Sequence, residues 1–360
     1  MPSLLSSAIA QTPRNQHLLL LQSSAAQTCL PVLRAVVRSA SERPRETTVI
    51  FCLLYPPSSF LDSTRSQPGN VRIIDRTAHV PGYDEDLAPD AGAGSNIRNA
   101  ILDNLGSLPD GPLNVVVDSV DTLLSDIDSI SETTRLLAEL LSLVRARGSS
   151  SRLILHTLAP SPLIPILTQT RFSPSLTHLI AHPTALLTHL ASAYLTPPPP
   201  LSAIEKFWGV FIPISERHYE SEKLVFGAGG EGSGLQEFAV EVIVRGGADG
   251  SGRRRGVERV LEGWSPAAGG PCELRELERL KALWSKKAVV QPQSGPDPTQ
   301  NLSFNLNLTP EQQRSRAQVP LPYAHEGKCA EQTQAPAAIL YDPDSADDLD
   351  DDDPDEDLDI

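Results

Sequence analysis

Residues Gln22–Cys29 read QSSAAQTC, between a short apolar run and a helical pattern. At this place in a strand–turn–helix unit a GxxxxGK[ST] turn would cradle phosphate. Its backbone N–H groups wrap the anion, its Lys neutralises it and its hydroxyl binds Mg²⁺. With Thr28 in the hydroxyl position, Gln27 stands where the Lys belongs and Ala26 where the preceding Gly belongs, and Gln22 leads in. No Gly lies between Leu18 and Arg34. Without Gly the loop cannot close on a phosphate, and without Lys the γ-phosphate has no counter-charge. Asp118 ends the apolar run Leu113–Asp118 (LNVVVD), where a Mg²⁺-organising carboxylate would sit. Apolar strands often end in Asp, so a carboxylate that caps a loop is the competing reading. These residues predict neither a bound cofactor nor enzymatic activity.

Other constellations are thin. His178 and His182 are four apart, but SLTHLIAHP reads as a strand ending at Pro183, so the two do not share a helical face. His156 and His189 are scattered. Asp121, Asp126 and Asp128 read as a loop or helix start. Gly227–Gly234 (GAGGEGSG) has Gly spaced for phosphate yet lacks Lys and precedes a strand, which favours a hairpin loop. No metal site is predicted: Cys29, Cys52, Cys272 and Cys329 form no CxxC pair. Reduced thiols in the cytosol or nucleus are the default.

The elements that must position these residues alternate. Strands are predicted at His17–Gln22, Thr47–Leu54, Val71–Asp75, Leu113–Asp118, Arg152–Leu158 and Ser175–Ala181. Helices are predicted at Cys29–Ser39, Asn96–Leu105 and Glu132–Arg147, the last with Leu136, Leu137, Leu140, Leu141 and Val144 at helical spacing. Strands apolar on both faces and separated by helices imply an α/β fold, a parallel sheet covered on both sides. After Thr196–Pro200 (TPPPP) the pattern changes. Glu205–Pro213 and Phe238–Arg245 alternate like antiparallel strands that extend the sheet. Cys272–Lys287 reads as a helix. Phe207, Trp208, Phe211 and Ile212 exceed what one sheet needs and suggest a surface that a partner covers. No apolar run reaches the roughly 18 residues of a membrane span, and Leu18–Leu21 is too short for the core of a signal peptide. The expected divisions are 1–289 as the α/β domain, 290–341 as an extended docking segment and 342–360 as a tail.

The chain carries 45 acidic and 30 basic residues, a formal charge of −15. Twelve of the carboxylates fall in the nineteen residues Asp342–Ile360, which hold no Lys or Arg. The body is left with 33 acidic against 30 basic residues, so the acidity belongs to one segment. Such a run repels itself and is expected to be disordered. A passive solubility tail and an interaction tail are both open readings.

Two C-terminal segments then narrow the choice. SFNLNLTPEQQRSRAQVPLPY places Phe304, Asn305, Leu306, Leu308, Thr309, Gln312, Arg316, Val319, Leu321, Pro322 and Tyr323 in order. ILYDPDSADDLDDDDPDEDLDI follows, with Ile339, Tyr341, Pro343 to Asp348 and Asp353 to Ile360. The combination resembles the C-terminal signature of the Elongator complex protein 5 family, of the fungal type. The resemblance implies a RecA-like domain of the P-loop ATPase type with a degenerate nucleotide site. It implies a non-catalytic member of a hetero-hexameric ring with Elongator ring subunits four and six. That ring binds tRNA, joins the catalytic Elongator subcomplex and supports modification of the wobble uridine of tRNA, in cytoplasm and nucleus. Phe304, Leu306, Leu308, Leu321, Pro322 and Tyr323 are then candidate docking residues, with Cys272–Lys287. Arg253, Arg254 and Arg255 are candidate tRNA-facing residues, with Lys286 and Lys287. The rival readings are a divergent ATPase-like protein and an acidic-tailed nuclear scaffold outside Elongator.

Overall fold

Leu18, Leu19, Leu20 and Leu21 are all 0 % exposed. A strand so buried on both faces belongs in the middle of a covered sheet. The computed structural model describes residues 3–11, 16–60, 69–78, 93–228, 230, 236–246, 256–285, 311 and 314. The strands are β1 (Leu18–Ser24), β2 (Thr47–Cys52), β3 (Val71–Asp75), β4 (Leu113–Val117), β5 (Arg152–Ala159), β6 (Leu176–Pro183), β7 (Phe238–Arg245), β8 (Glu258–Ser265) and β9 (Gly270–Cys272). Their order in one sheet is β3-β2-β4-β5-β1-β6-β7-β8-β9. The six from β3 to β6 pair in parallel, and β7, β8 and β9 add antiparallel. The α/β class and the parallel-dominated, helix-flanked sheet are those expected.

The helices are α1 (Leu4–Ile9), α2 (Leu30–Ser41), α3 (Ala93–Gly106), α4 (Val120–Ile127), α5 (Ile130–Ala146), α6 (Ile164–Leu167), α7 (Thr184–Ala193), α8 (Ile204–Ser215), α9 (His218–Phe226) and α10 (Lys281–Ser285). α3 to α6 cover one face of the parallel strands, where Ile101, Leu123, Leu137 and Leu167 meet Leu20, Val117 and Leu155. α1 and α2 cover the other, where Leu5 and Val36 meet Leu19, Leu21 and Ile154. A third cluster joins α7 and α8 to the antiparallel end. α5 shows how locally such a helix is written. Ser129 caps it by accepting from the Glu132 N–H, Arg145 sits in its last turn, and five apolar residues at helical spacing are buried. No described helix is long and apolar enough to cross a membrane. All these elements lie in the unit Met1–Gln291; Pro292–Ile360 forms a second unit.

Four expectations are overturned. Glu205–Pro213 is not a strand but lies within α8. Phe207, Phe211 and Ile214 recur at helical spacing and bury one face against α7 and the sheet. Pro213 lies inside this helix, two residues before its end, and leaves the Gly209 carbonyl without the hydrogen bond that an N–H at this position would have donated. For the same reason the aromatic run is not a surface awaiting a partner: Phe207 and Phe211 are 0 % exposed. Trp208 and Ile212 pack against the same cluster as half-buried neighbours. Gly227–Gly234 does not close a hairpin, since α9 precedes it and β7 follows. Cys272–Lys287 is not one helix. β9 ends at Cys272, two 3₁₀ turns follow, and α10 starts at Lys281. Its leucines keep their buried role on a broken backbone: Leu277 and Leu280 are 0 % exposed.

Candidate functional site

β1 leads through Ser24–Cys29 into α2, and the turn closes on itself. The Ser24 N–H donates to the Gln27 carbonyl at 2.9 Å and the Gln27 N–H returns to Ser24 O at 3.2 Å. This reciprocal pair draws Ala26 and Gln27 inward, so that each is 1 % exposed. Ala26 packs on Ala185 and Val225. The donors at the start of α2 are spent as well. The Cys29 N–H donates to Ser23 Oγ at 2.8 Å and the Leu30 N–H to Thr28 Oγ1 at 3.1 Å. Pro31 has none, and the N–H groups of Val32 and Leu33 point to Cys29 O at 3.0 and 3.1 Å. A helix start binds phosphate only through N–H groups left without partners. The start of α2 therefore offers no free donor to a nucleotide phosphate, and the turn before it lacks the Gly and Lys that would wrap and neutralise one.

The hydroxyl that caps the turn has a second partner. Ser23 Oγ lies 2.7 Å from His156 Nε2, and His156 Nδ1 lies 2.7 Å from the Asp118 carbonyl oxygen. A carbonyl only accepts, so Nδ1 carries the proton and Nε2 accepts from Ser23. Burial holds the His156 imidazole below its ordinary range, which keeps it neutral. A serine against a histidine base is the arrangement of an activated nucleophile. Here Ser23 is 3 % and His156 2 % exposed, and the Ser23 oxygen already holds the start of α2. The pair clamps β1, β5 and α2 together.

Asp118 follows β4 and is 0 % exposed. Its carboxylate accepts from the N–H groups of Leu53 at 2.7 Å, Leu54 at 3.1 Å and Tyr55 at 2.7 Å. Burial raises its pKa and these three donors oppose the rise. The side chain thus caps the loop after β2. Asp121 acts alike, accepting from Thr157 Oγ1 at 3.0 Å and the Leu158 N–H at 2.7 Å. Gln22 does not join the turn: its side chain lies over β6, where Oε1 is 3.0 Å from His178 Nε2.

Sequence reasoning missed Ser23 and His156 because no local spacing links two residues on strands that only the sheet makes neighbours. It also missed the pairs His182–Glu241 at 2.9 Å and Glu241–Arg259 at 2.7 Å. The Arg259 N–H is not aimed at the carboxylate, so their charges pair without an aligned hydrogen bond. Among the described residues, no three His, Cys, Asp or Glu side chains converge to hold a metal ion. Cys29, Cys52 and Cys272 are buried free thiols. Arg253, Arg254, Arg255, Lys286, Lys287, Phe304, Leu306, Leu308, Leu321, Pro322 and Tyr323 lie outside the described residues, as does the acidic tail.

Comparison with known families settles the kinship. The family described as Elongator subunit Iki1 matches residues 4–342. The chain belongs to that family. Elongator complex protein 5 of Danio rerio is 44 % identical over 68 residues, which are 18 % of this chain and 23 % of that protein. Elongator complex protein 5 of Homo sapiens is 40 % identical over 81 residues, 19 % of this chain and 27 % of that protein. These matches thus span about a quarter of the curated relatives' length. A KaiC-like protein of Pyrococcus horikoshii aligns with 72 % of this chain and 89 % of its own at 12 % identity and a TM-score of 0.38. A likeness that loose carries no argument.

Proposed function

We propose that this chain is a non-catalytic subunit of Elongator. It stands in a hetero-hexameric RecA-like ring with ring subunits four and six, and the ring joins the catalytic subcomplex. The assembled ring binds tRNA and supports modification of its wobble uridine, in cytoplasm and nucleus. The observation that carries the reading is the family match over residues 4–342. The spent N–H groups at the start of α2 support the non-catalytic role, because a ring member without a phosphate cradle works through its faces. The segment 290–341, with Phe304, Leu306 and Tyr323, is the proposed docking peptide. Arg253, Arg254 and Arg255 are proposed to face tRNA.

The test is affinity purification of the tagged full chain from its own cells, followed by mass spectrometry. The expected result is recovery of the other ring subunits and the catalytic subunits in comparable amounts, with tRNA retained on the ring. Recovery of unrelated nuclear proteins without them would overturn the reading in favour of an acidic-tailed scaffold.

A further inference from the structure

On the face that carries α3 to α6, the helical cover is interrupted between α6 and α8. A cavity of about 480 Å³ opens there onto the strands. Its walls are aliphatic, with Ile164, Ile180, Ile212 and Ile243 among them. Its floor is polar, with Gln22, His178, His182, Glu241, Arg245 and Arg259 on four adjacent strands. Such a row on a buried sheet face is costly unless each group has a partner.

The charged groups are partly committed. Arg245 donates to the carbonyls of Thr168 and Ser173. Arg259 faces Glu241 and lies over the Trp208 ring, 5.4 Å from its centroid. Glu241 also holds His182. The charged lining residues are Glu216, Glu241, Arg245 and Arg259, two of each sign, so no surplus cation awaits a phosphate. Unpaired atoms remain on the floor: Arg245 Nε, Arg259 Nε and Glu241 Oε1 are buried without a hydrogen-bond partner. His178 Nε2 donates to Gln22 Oε1, which leaves the second ring nitrogen of His178 as an acceptor and the Gln22 amide N–H₂ as a donor. Both residues line the cavity. Burial lowers the pKa of His178 to about 4, so it is neutral and keeps that acceptor.

We infer that this cavity binds a nucleobase. A neutral, flat heteroaromatic ring suits aliphatic walls and adds no charge to a balanced floor. Its edge carries both donors and acceptors, which match the mixed donors and acceptors of the floor, as in pockets that read an unstacked base by its edge. The base is that of a free nucleoside or of a single-stranded RNA. The inference is independent of membership in Elongator.

The test titrates the full chain with adenosine, guanosine, cytidine, uridine and a short single-stranded oligoribonucleotide, with ribose as control, followed by calorimetry and saturation-transfer NMR. Saturable binding of at least one nucleoside or of the oligoribonucleotide is expected, with none for ribose. Adding a 5′-phosphate is expected to leave nucleoside affinity unchanged within about twofold, since no cation is spare. Ile243→Trp, which fills a half-buried wall position, and Gln22→Leu, which removes the donor, should each weaken binding by about tenfold or more. Thermal melts check that both fold. If Gln22→Leu does not, Ile243→Trp decides alone. Equal affinity for nucleoside and oligoribonucleotide assigns a free nucleoside, and much tighter oligoribonucleotide binding with the same loss on substitution assigns an RNA base. Absence of saturable binding by all five probes, or binding that Ile243→Trp leaves unchanged, overturns the inference.

Discussion

Ser23 Oγ lies 2.7 Å from His156 Nε2 although 133 positions separate them. The same oxygen accepts the Cys29 N–H, so one hydroxyl joins β1, β5 and the start of α2. Ser23→Ala should therefore strand a buried N–H and a buried imidazole nitrogen. The expected loss is about 1–3 kcal/mol, because an unmade hydrogen bond in the interior costs the full desolvation of its partner. Urea unfolding of the variant beside wild type checks this, and an unchanged midpoint would sink the clamp.

Gln27→Lys restores one letter of the phosphate motif and should restore no binding. Gln27 is 1 % exposed and the N–H groups of Cys29 and Leu30 at the start of α2 are already paired. A Lys there buries an unpaired ammonium, so the melting temperature should fall while calorimetry with Mg²⁺ and ATP stays flat. Saturable binding to the variant would show that the turn opens.

Phe211 stacks on Phe207 with centroids 5.2 Å apart and meets His182 at 5.0 Å. Phe211→Ala should cost about 3–5 kcal/mol, the range for removing a large core side chain. A loss under about 1 kcal/mol, the level of an exposed position, would return this aromatic run to the surface.

Acid should weaken the fold through His178. Its folded pKa of about 4 lies below the ordinary 6.5. Between those values the unfolded chain binds more protons than the folded one, so stability falls as pH drops through the window. The ceiling is about 1.4 kcal/mol per pH unit. His156, lowered by burial, acts in the same direction, and so does Glu241, lowered by His182 and Arg259 against its own burial. The raised pKa of Asp118 acts in the opposite sense, at its own carboxylate range. His178→Gln should flatten the slope, read as urea midpoints at the two ends of the window. An unaltered slope would remove His178 as a cause.

The tail offers a test in the assembled ring. If the chain stands in the proposed tRNA-binding ring, twelve carboxylates in nineteen residues would compete with tRNA for a basic surface. Deleting Asp342–Ile360 should tighten tRNA binding at low salt, and the gain should shrink as salt shortens the Debye length below about 8 Å. Equal affinities at every salt concentration would leave the tail a passive solubility device.

What was legible in the sequence was local. LNVVVD and RLILHTL are short and apolar on both faces, the first rich in β-branched residues, and α5 carries its cap and its stripe within seventeen residues, so the strands follow from length and composition and the helix from its period. The missing Gly and Lys between Leu18 and Arg34 can be read one letter at a time. The run EKFWGVFIP was not legible, because dense apolar residues satisfy a period of two and a period of 3.6 together. Contact with α7 and the end of the sheet chose the helix. Ser23 with His156, Gln22 with His178 and Glu241 with Arg259 were hidden for another reason. Strand order decides which residues meet, and β1 lies between β5 and β6 although its chain neighbours are elsewhere. Periodicity reports which face a side chain takes, while the identity of its partner is set by packing between segments far apart in the chain, and only the tertiary structure supplies that.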